Sequence, residues 1–439
     1  MPAYAGGIAL NPRELYREKL ISIEEAVAKV KSGQSIVVAM CAAEPPGLLE
    51  AISSRKDELE NVTIMSCLLM RDYDFLKPEM KGHFLNEAWY YGPHSYRAHP
   101  GGTVTFMPNH LHECALKKRE IDPPDIYWGT ATPMDKNGYM SLSLSLTYEK
   151  PLINVAKTVV LEINENLPRT LGDTQMHISQ VDCVVENTVP LVEVEPIVPT
   201  EVEMEIGRNV ASLIEDGSTI QLGIGGIPNA IAKCLEDKHD LGVHTEMLTD
   251  GMVDLFNAGV ITGLKKTLWP EKMVGCFAMG TKKLYDFIDD NLGVELHGGY
   301  VTNDPYVIAK NHKMVSINTT MQVDLTGQAN SETIGTKQYS GTGGAMNTCI
   351  GAQISPGGRS ILALRSTAKH GTISTIVPCF NEGQAVTIHR ADVDYVVTEY
   401  GIARLKARNI RQRVEALISI AHPDFRDWLR SEAKALQYI

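Results

Sequence analysis

No two of the eight cysteines (Cys41, Cys67, Cys114, Cys183, Cys234, Cys276, Cys349 and Cys379) stand in a C-x-x-C pair, and none has zinc-ribbon spacing. That scatter excludes a disulfide framework and fits reduced, mostly core thiols in a cytoplasmic protein. Positive charge is not in excess either: 41 Lys and Arg against 53 Asp and Glu leave a net charge of −12. A general nucleic-acid or anionic-membrane surface is thereby excluded, though not a local pocket for one anionic ligand. Long apolar runs are missing. The longest in the first part of the chain, Ile36 to Ala43, has eight residues, whereas a membrane span needs about 20. The start, Met1 to Gly7, lacks the basic and apolar regions of a secretory signal, so none is expected. Glycine (36) and proline (22) lie near background among 439 residues, which excludes collagen and disorder. What remains is an ordinary soluble composition, 44% hydrophobic and 21% charged. At roughly 150 residues per domain, it predicts two or three domains with a large core.

The chain repeats its own grammar. Ser22 and Glu25 have capping-box spacing, apolar residues then recur at helical period, and Gly33 sits where a helix ends. A β-branched strand follows from Ser35. The same order returns with a helix over Ile206 to Ile214, a stop at Asp216-Gly217 and a strand over Ser218 to Leu222. Each strand enters a loop of small residues ending in proline: Ala42 to Pro46, with a helix from Gly47, and Gly223 to Pro228, with a helix from Asn229. Further strands are expected over Asn61 to Ser66 and Leu241 to Glu246. Two such units about 184 residues apart imply an α/β protein of two related open domains, residues 1–190 and 200–439. The active site is expected in the crevice between them. Pro190, Pro196 and Pro199 mark an extended linker over Asn187 to Glu203.

The second unit carries the chemistry. Glycines at a strand's carboxyl end let backbone N–H groups turn toward a ligand, and the next helix adds its positive end. In a parallel sheet the loop after the neighbouring strand shares that edge, so Glu246 and the Gly223 loop should face one crevice. Two functions fit. In a dinucleotide fold the glycines cradle a pyrophosphate and an acid about 20 residues on holds a ribose; Glu246 follows Gly223 by 23, although Pro228 stands where the third glycine belongs. Alternatively, Glu246 is a nucleophile and the loop an oxyanion-stabilising rim. A second glycine cluster, Ser340 to Asn347, is too polar for a core and too long for one turn. A site for both a large co-substrate and an acyl group gives it a purpose.

Ala43-Glu44-Pro45-Pro46, the Leu222–Pro228 loop, His244-Thr245-Glu246-Met247-Leu248-Thr249-Asp250-Gly251, Met279 to Phe287, Gln322-Val323-Asp324, the Gly341–Gly344 loop and Asp394 to Gly401 together resemble the acetyl-CoA hydrolase/transferase family of class I CoA-transferases. The likeness covers nearly the whole chain after the first fifteen or so residues. It implies that Glu246 is the covalent nucleophile and that Gly223, Ile224, Gly225, Gly226 and Ile227 contact coenzyme A. It further implies that Gly343 and Gly344 close over the thioester, with additional CoA contacts at Met321 and Lys369. Asn347 departs from the Asp that the family often carries. The implied reaction is ping-pong transfer of CoA from an acyl-CoA such as acetyl-CoA to a short-chain carboxylate such as 4-hydroxybutyrate or butyrate. CoA is then a co-substrate, with no tightly bound cofactor and no metal. An acyl-CoA hydrolase and a dinucleotide-dependent oxidoreductase are the alternatives, and a homodimer or higher homo-oligomer is expected. His244 sits where it could orient Glu246, and a purely structural hydrogen bond explains it equally well. Lys265-Lys266 and Lys282-Lys283 are candidates for CoA phosphates, with plain surface lysine the simpler reading.

Overall fold

A computed structural model describes residues 11–439; the Met1 to Gly7 segment lies outside the described residues. Two parallel sheets organise the chain. The first runs, edge to edge, through strands Val104–Phe106, Phe84–Ala88, Val62–Ser66, Ser35–Val38, Ile126–Ala131, Thr158–Ile163 and Cys183–Glu186, all parallel. The second runs through Gly242–Val243, Thr219–Leu222, Met314–Thr319, Arg359–Ala363 and Tyr395–Thr398, and closes on one antiparallel strand, Gly401–Arg404. The first strand of each half therefore lies inside its sheet, where the winding direction reverses. Loops leaving such strands open into a crevice, the usual position for a ligand in this architecture.

The repeated units form as their sequences dictate. Ser22 caps helix Ile23–Ala28 and Glu25 returns the bond, while Thr200 and Glu203 do the same for Glu201–Ala211. That second helix begins earlier than Ile206 because the capping pair lies upstream of the apolar residues. Helix Gly226–Lys233 also starts three residues before the expected Asn229. Gly225, at φ +116°, makes the turn that permits it. Pro228 falls in the first turn, where a missing N–H breaks no helical bond, and Asn229 N–H makes the first bond back to the Gly225 carbonyl at 3.0 Å.

One expected strand is cut short. The run Leu241 to Glu246 pairs within the second sheet only over Gly242–Val243. His244 then bridges to Val274, and Met247–Leu248 pairs with Phe277–Ala278. Two small parallel pairs thus take over where the main sheet ends, and Glu246 sits between them. This subsidiary layer is sewn to the first half: Leu146 N–H donates to the Cys276 carbonyl at 2.7 Å and Ala278 N–H to the Leu144 carbonyl at 2.9 Å. One apolar core runs through the seam, from Val37 and Tyr127 of the first sheet to Ile220, Ile317 and Val397 of the second.

The linker has no regular secondary structure between Glu186 and Glu201, and it is tied down. Val194 N–H donates to the Gly280 carbonyl (2.9 Å), Tyr285 Oη to the Val192 carbonyl (2.7 Å) and Asn229 Nδ2 to the Ile197 carbonyl (2.8 Å). Among the described residues, no helix is long and apolar enough to cross a membrane.

Candidate active site

Because the main sheet releases the chain after Val243, Glu246 points away from the strand edge and toward the seam. Its backbone is fixed first: the Glu246 carbonyl accepts N–H bonds from Cys276 (3.0 Å) and Phe277 (3.2 Å). Its side chain is then met by two donors. Asn303 Nδ2 donates to Oε2 at 3.0 Å, and the Gly344 backbone N–H lies against the same carboxyl group and favours its charged form. A Cβ on Gly344 would lie 1.9 Å from Oε2, so any other residue there has to displace the carboxylate from its place. Burial pushes the Glu246 carboxyl up to about 7, and the two donors offset only part of that rise.

In front of the carboxylate lies a small chamber of about 20 Å³. Most of its wall comes from the first half. Met40, Cys67 and Trp89–Tyr90 follow the strands Ser35–Val38, Val62–Ser66 and Phe84–Ala88, so the carboxyl ends of three adjacent strands open onto it. Asn109, Leu111, Cys114, Thr147 and Tyr148 complete that side, and Gly343 closes the other. The glycine cluster is clamped across the seam: Tyr91 N–H donates to the Ser340 carbonyl (3.2 Å), Leu111 N–H to the Gly343 carbonyl (3.1 Å) and His112 N–H to Asn347 Oδ1 (3.4 Å). Asn347 thus serves as a neutral acceptor, a task that needs no charge.

The Gly223–Ile227 loop does not line this chamber. It borders a second, larger groove of about 740 Å³, where Ile224 and Gly225 face Val194–Pro199 of the linker, Asp250-Gly251, Met279-Gly280 and Tyr339. Gly226 is packed on a carboxylate, a Cβ there falling 2.0 Å from Glu203 Oε1, and Glu203 pairs with Arg365 at 2.6 Å. Met321 and Lys369 line neither cavity. Met321 N–H bonds the Asn330 carbonyl (3.0 Å), and Lys369 sits exposed at φ +47° in the turn between Thr367–Ala368 and Ile373–Ser374.

His244 takes the structural role. Its Nε2 lies 2.8 Å from the Thr302 carbonyl, and burial lowers its pKa to about 3, so it stays neutral. That bond anchors the residue preceding Asn303. Lys266 is core, donating to the Val243 (2.9 Å) and Lys272 (2.6 Å) carbonyls, and Lys283 is paired with Asp254 at 2.7 Å. The dinucleotide reading loses its acid, since Glu246 meets Gly344 and Asn303 where a ribose-binding carboxylate would face the Gly223 loop. Sequence reasoning missed Asn303. Its signal was an Asn placed just after the short helix Gly299–Thr302 and just before Asp304-Pro305, which marks a fixed turn without indicating what the amide faces.

Comparison with known proteins fits this geometry. Residues 9–196 match the acetyl-CoA hydrolase/transferase N-terminal domain and residues 280–433 the C-terminal domain of the same family. The chain belongs to the acetyl-CoA hydrolase/transferase family. It is similar to 4-hydroxybutyrate coenzyme A transferase of Clostridium kluyveri, 45% identical over 96% of this chain and 98% of that one. It is also similar to succinyl-CoA:cyclohexane-1-carboxylate CoA transferase of Geobacter metallireducens, 43% identical over 97% of each. The crystal structure of RipA from Yersinia pestis superposes with a TM-score of 0.94 at 36% identity, covering 98% of this chain and 100% of that one. Membership of the acetyl-CoA hydrolase/transferase family makes this chain an enzyme, and CoA transfer is the activity that its full-length relatives share by name.

Proposed function

We propose that this enzyme moves CoA from an acyl-CoA such as acetyl-CoA to a short-chain carboxylate such as 4-hydroxybutyrate or butyrate, in two half-reactions through a thioester on Glu246. The observation that carries this reading is the unequal setting of the two Glu246 oxygens. Oε2 is held by Asn303, which leaves Oε1 to attack. Oε1 adds to the acyl carbonyl and the C–S bond breaks, giving a mixed anhydride and CoA thiolate. The thiolate adds to the glutamyl carbonyl, the first acid leaves as its carboxylate, and glutamyl-CoA remains. The second acid runs these steps backward, and no net proton is consumed.

In the glutamyl step, Oε2 is the oxygen that takes the negative charge. Asn303 Nδ2 and the Gly344 N–H already aim at that carboxyl group. A single preorganised donor of this kind is worth about 2.7–4 kcal/mol in comparable sites. The Gly223–Ile227 loop and the apolar linker wall suit the pantetheine arm of CoA, with the linker supplying Val194, Ile197 and Val198. Seven of the eight thiols are buried or half-buried, as suits a reducing cytoplasmic setting.

The test is trapping. Incubation with acyl-CoA and no acceptor leaves CoA attached at Glu246, located by mass spectrometry of the digested protein and removed by borohydride. A label on another residue, or full CoA exchange by Glu246→Gln, refutes the mechanism. Acyl-CoA consumed at the same rate without any acceptor acid identifies a hydrolase instead.

A further inference from the structure

Asn303, which holds Glu246 Oε2, is itself hung from several points. The short helix Gly299–Thr302 before it begins where Gly299 N–H donates to the Thr147 carbonyl of the first half (2.9 Å). Thr302 Oγ1 donates to the His297 carbonyl (3.0 Å), and the Thr302 carbonyl accepts from His244 Nε2 (2.8 Å). His244 is buried, and among the described residues no group bonds its Nδ1. A ring held by one hydrogen bond can still turn about it, so its plane needs a second restraint. Trp269 supplies one. Its ring lies parallel to that of His244, centroids 5.9 Å and planes 8° apart, and parallel to that of His297 at 4.9 Å and 8°. Trp269 stands at φ +48°, a region that bulky side chains avoid, immediately before Pro270. His297 ends this row of rings at the seam between the halves. Its Nδ1 lies 2.9 Å from Oδ2 of Asp173 in the first half, and its Nε2 lies 3.0 Å from Glu295 Oε2. Lys272 pairs with Glu295 at 3.4 Å, and Asp173 N–H donates to the Leu296 carbonyl at 2.8 Å.

We propose that Trp269, His297 and Asp173 are positioning residues, which hold Asn303 against Glu246 and make that contact depend on the union of the two halves. The role of Asn303, and with it this proposal, rests on Glu246 being the nucleophile. None of the three residues lines the chamber or the Gly223 groove. Their influence passes along the row to His244, through its bond to the Thr302 carbonyl, and so to the amide of the next residue. Plain packing explains neither the strained backbone of Trp269 nor the two carboxylates placed around one imidazole. Strain of this kind persists where its surroundings over-determine it, and it clusters at functional sites. With the row broken, Thr302 is free to shift, and a displacement of only about 1 Å costs up to about 10²-fold in rate.

The experiment is a double-mutant cycle of Trp269→Leu with Asn303→Ala, read as kcat, the KM for acetyl-CoA and the acidic limb of the pH–rate profile. Trp269→Leu is expected to lower kcat about 10–100-fold, to leave KM unchanged, and to move the acidic limb to higher pH as Asn303→Ala does. In the Asn303→Ala background the same substitution should cost nothing further, because its effect runs through that amide. Trp269→Phe, which keeps a stacking ring, should recover most of the rate. Additive losses in the cycle, or a fall in kcat with an unmoved limb, overturn the proposal. If Trp269→Leu does not fold, Asp173→Ala, at an exposed side chain, decides in the same cycle. It should give a smaller limb shift to higher pH that disappears without Asn303, and an additive effect or none overturns the proposal. Failure of the underlying mechanism looks different: the wild-type enzyme then forms no glutamyl-CoA at all.

Discussion

As the proposed nucleophile, the Glu246 carboxyl must be ionised to react, and its environment holds it near the edge of ionisation. With its pKa raised to about 7, kcat/KM for acyl-CoA is expected to fall as pH drops below about 7, because protonation removes the attacking lone pair. Asn303 lowers that pKa by donating to the charged form, so Asn303→Ala should move the acidic limb to higher pH and reduce turnover about 10²–10³-fold. A pH–rate profile checks both effects, and an unmoved limb denies Asn303 its electrostatic role. The same shift has a stability consequence of defined sign. A carboxyl whose pKa is higher folded than unfolded favours folding while protonated and loses that advantage as pH rises from the unfolded value, about 4.5, to the folded one. Glu246→Gln should therefore be more stable than wild type above pH 7, by a few kcal/mol at most (about 1.36 kcal/mol per pKa unit). The difference should vanish near pH 4, and denaturant melts at the two pH values measure it.

At the scale of elements, the glycine cluster is the part least tolerant of change. Gly344→Ala places a methyl group within 1.9 Å of Oε2, so it should abolish transfer while leaving the far-ultraviolet circular dichroism spectrum intact. A near-wild-type rate would mean that the loop stands away from the carboxylate in solution. Much of this level was legible beforehand. Capping residues at Ser22, strands at Ser35 and Thr219 and the start of helix Pro46–Ala51 are written in short-range patterns, because each depends on neighbours three or four positions away. Glu246 and the Gly343-Gly344 pair stood out through their motifs, and the fold brings those three together. The early end of the strand at Val243 was not legible, since apolar residues continue beyond it and only the competing pairing with Met273–Gly275 and Phe277–Ala278 decides. Asn303 was illegible for a similar reason: its partner lies 57 residues away. The linker prolines marked a stretch without helix or strand, but nothing local disclosed that Val194–Pro199 would wall a groove.

Across the whole molecule, the two sheets share one apolar core. We propose the division at 1–190 and 200–439 as a boundary of architecture and not of stability. The enzyme should unfold in a single cooperative transition, with calorimetric and van't Hoff enthalpies in agreement. Residues 1–190 expressed alone should show no such transition, because the separated half exposes the apolar face that the other one covers. Two resolved calorimetric peaks would instead mean that the halves are energetically independent.

Nine of the eleven residues around the chamber come from the first half, while the proposed nucleophile, Glu246, comes from the second. On the proposed mechanism, the wall that faces the carboxylate and the carboxylate itself are therefore encoded by different stretches of the gene. A hybrid that grafts the first half of a relative with another acid preference onto this second half should inherit the donor's diet while keeping the recipient's bond-making apparatus, so new selectivities can be acquired by exchange of one segment.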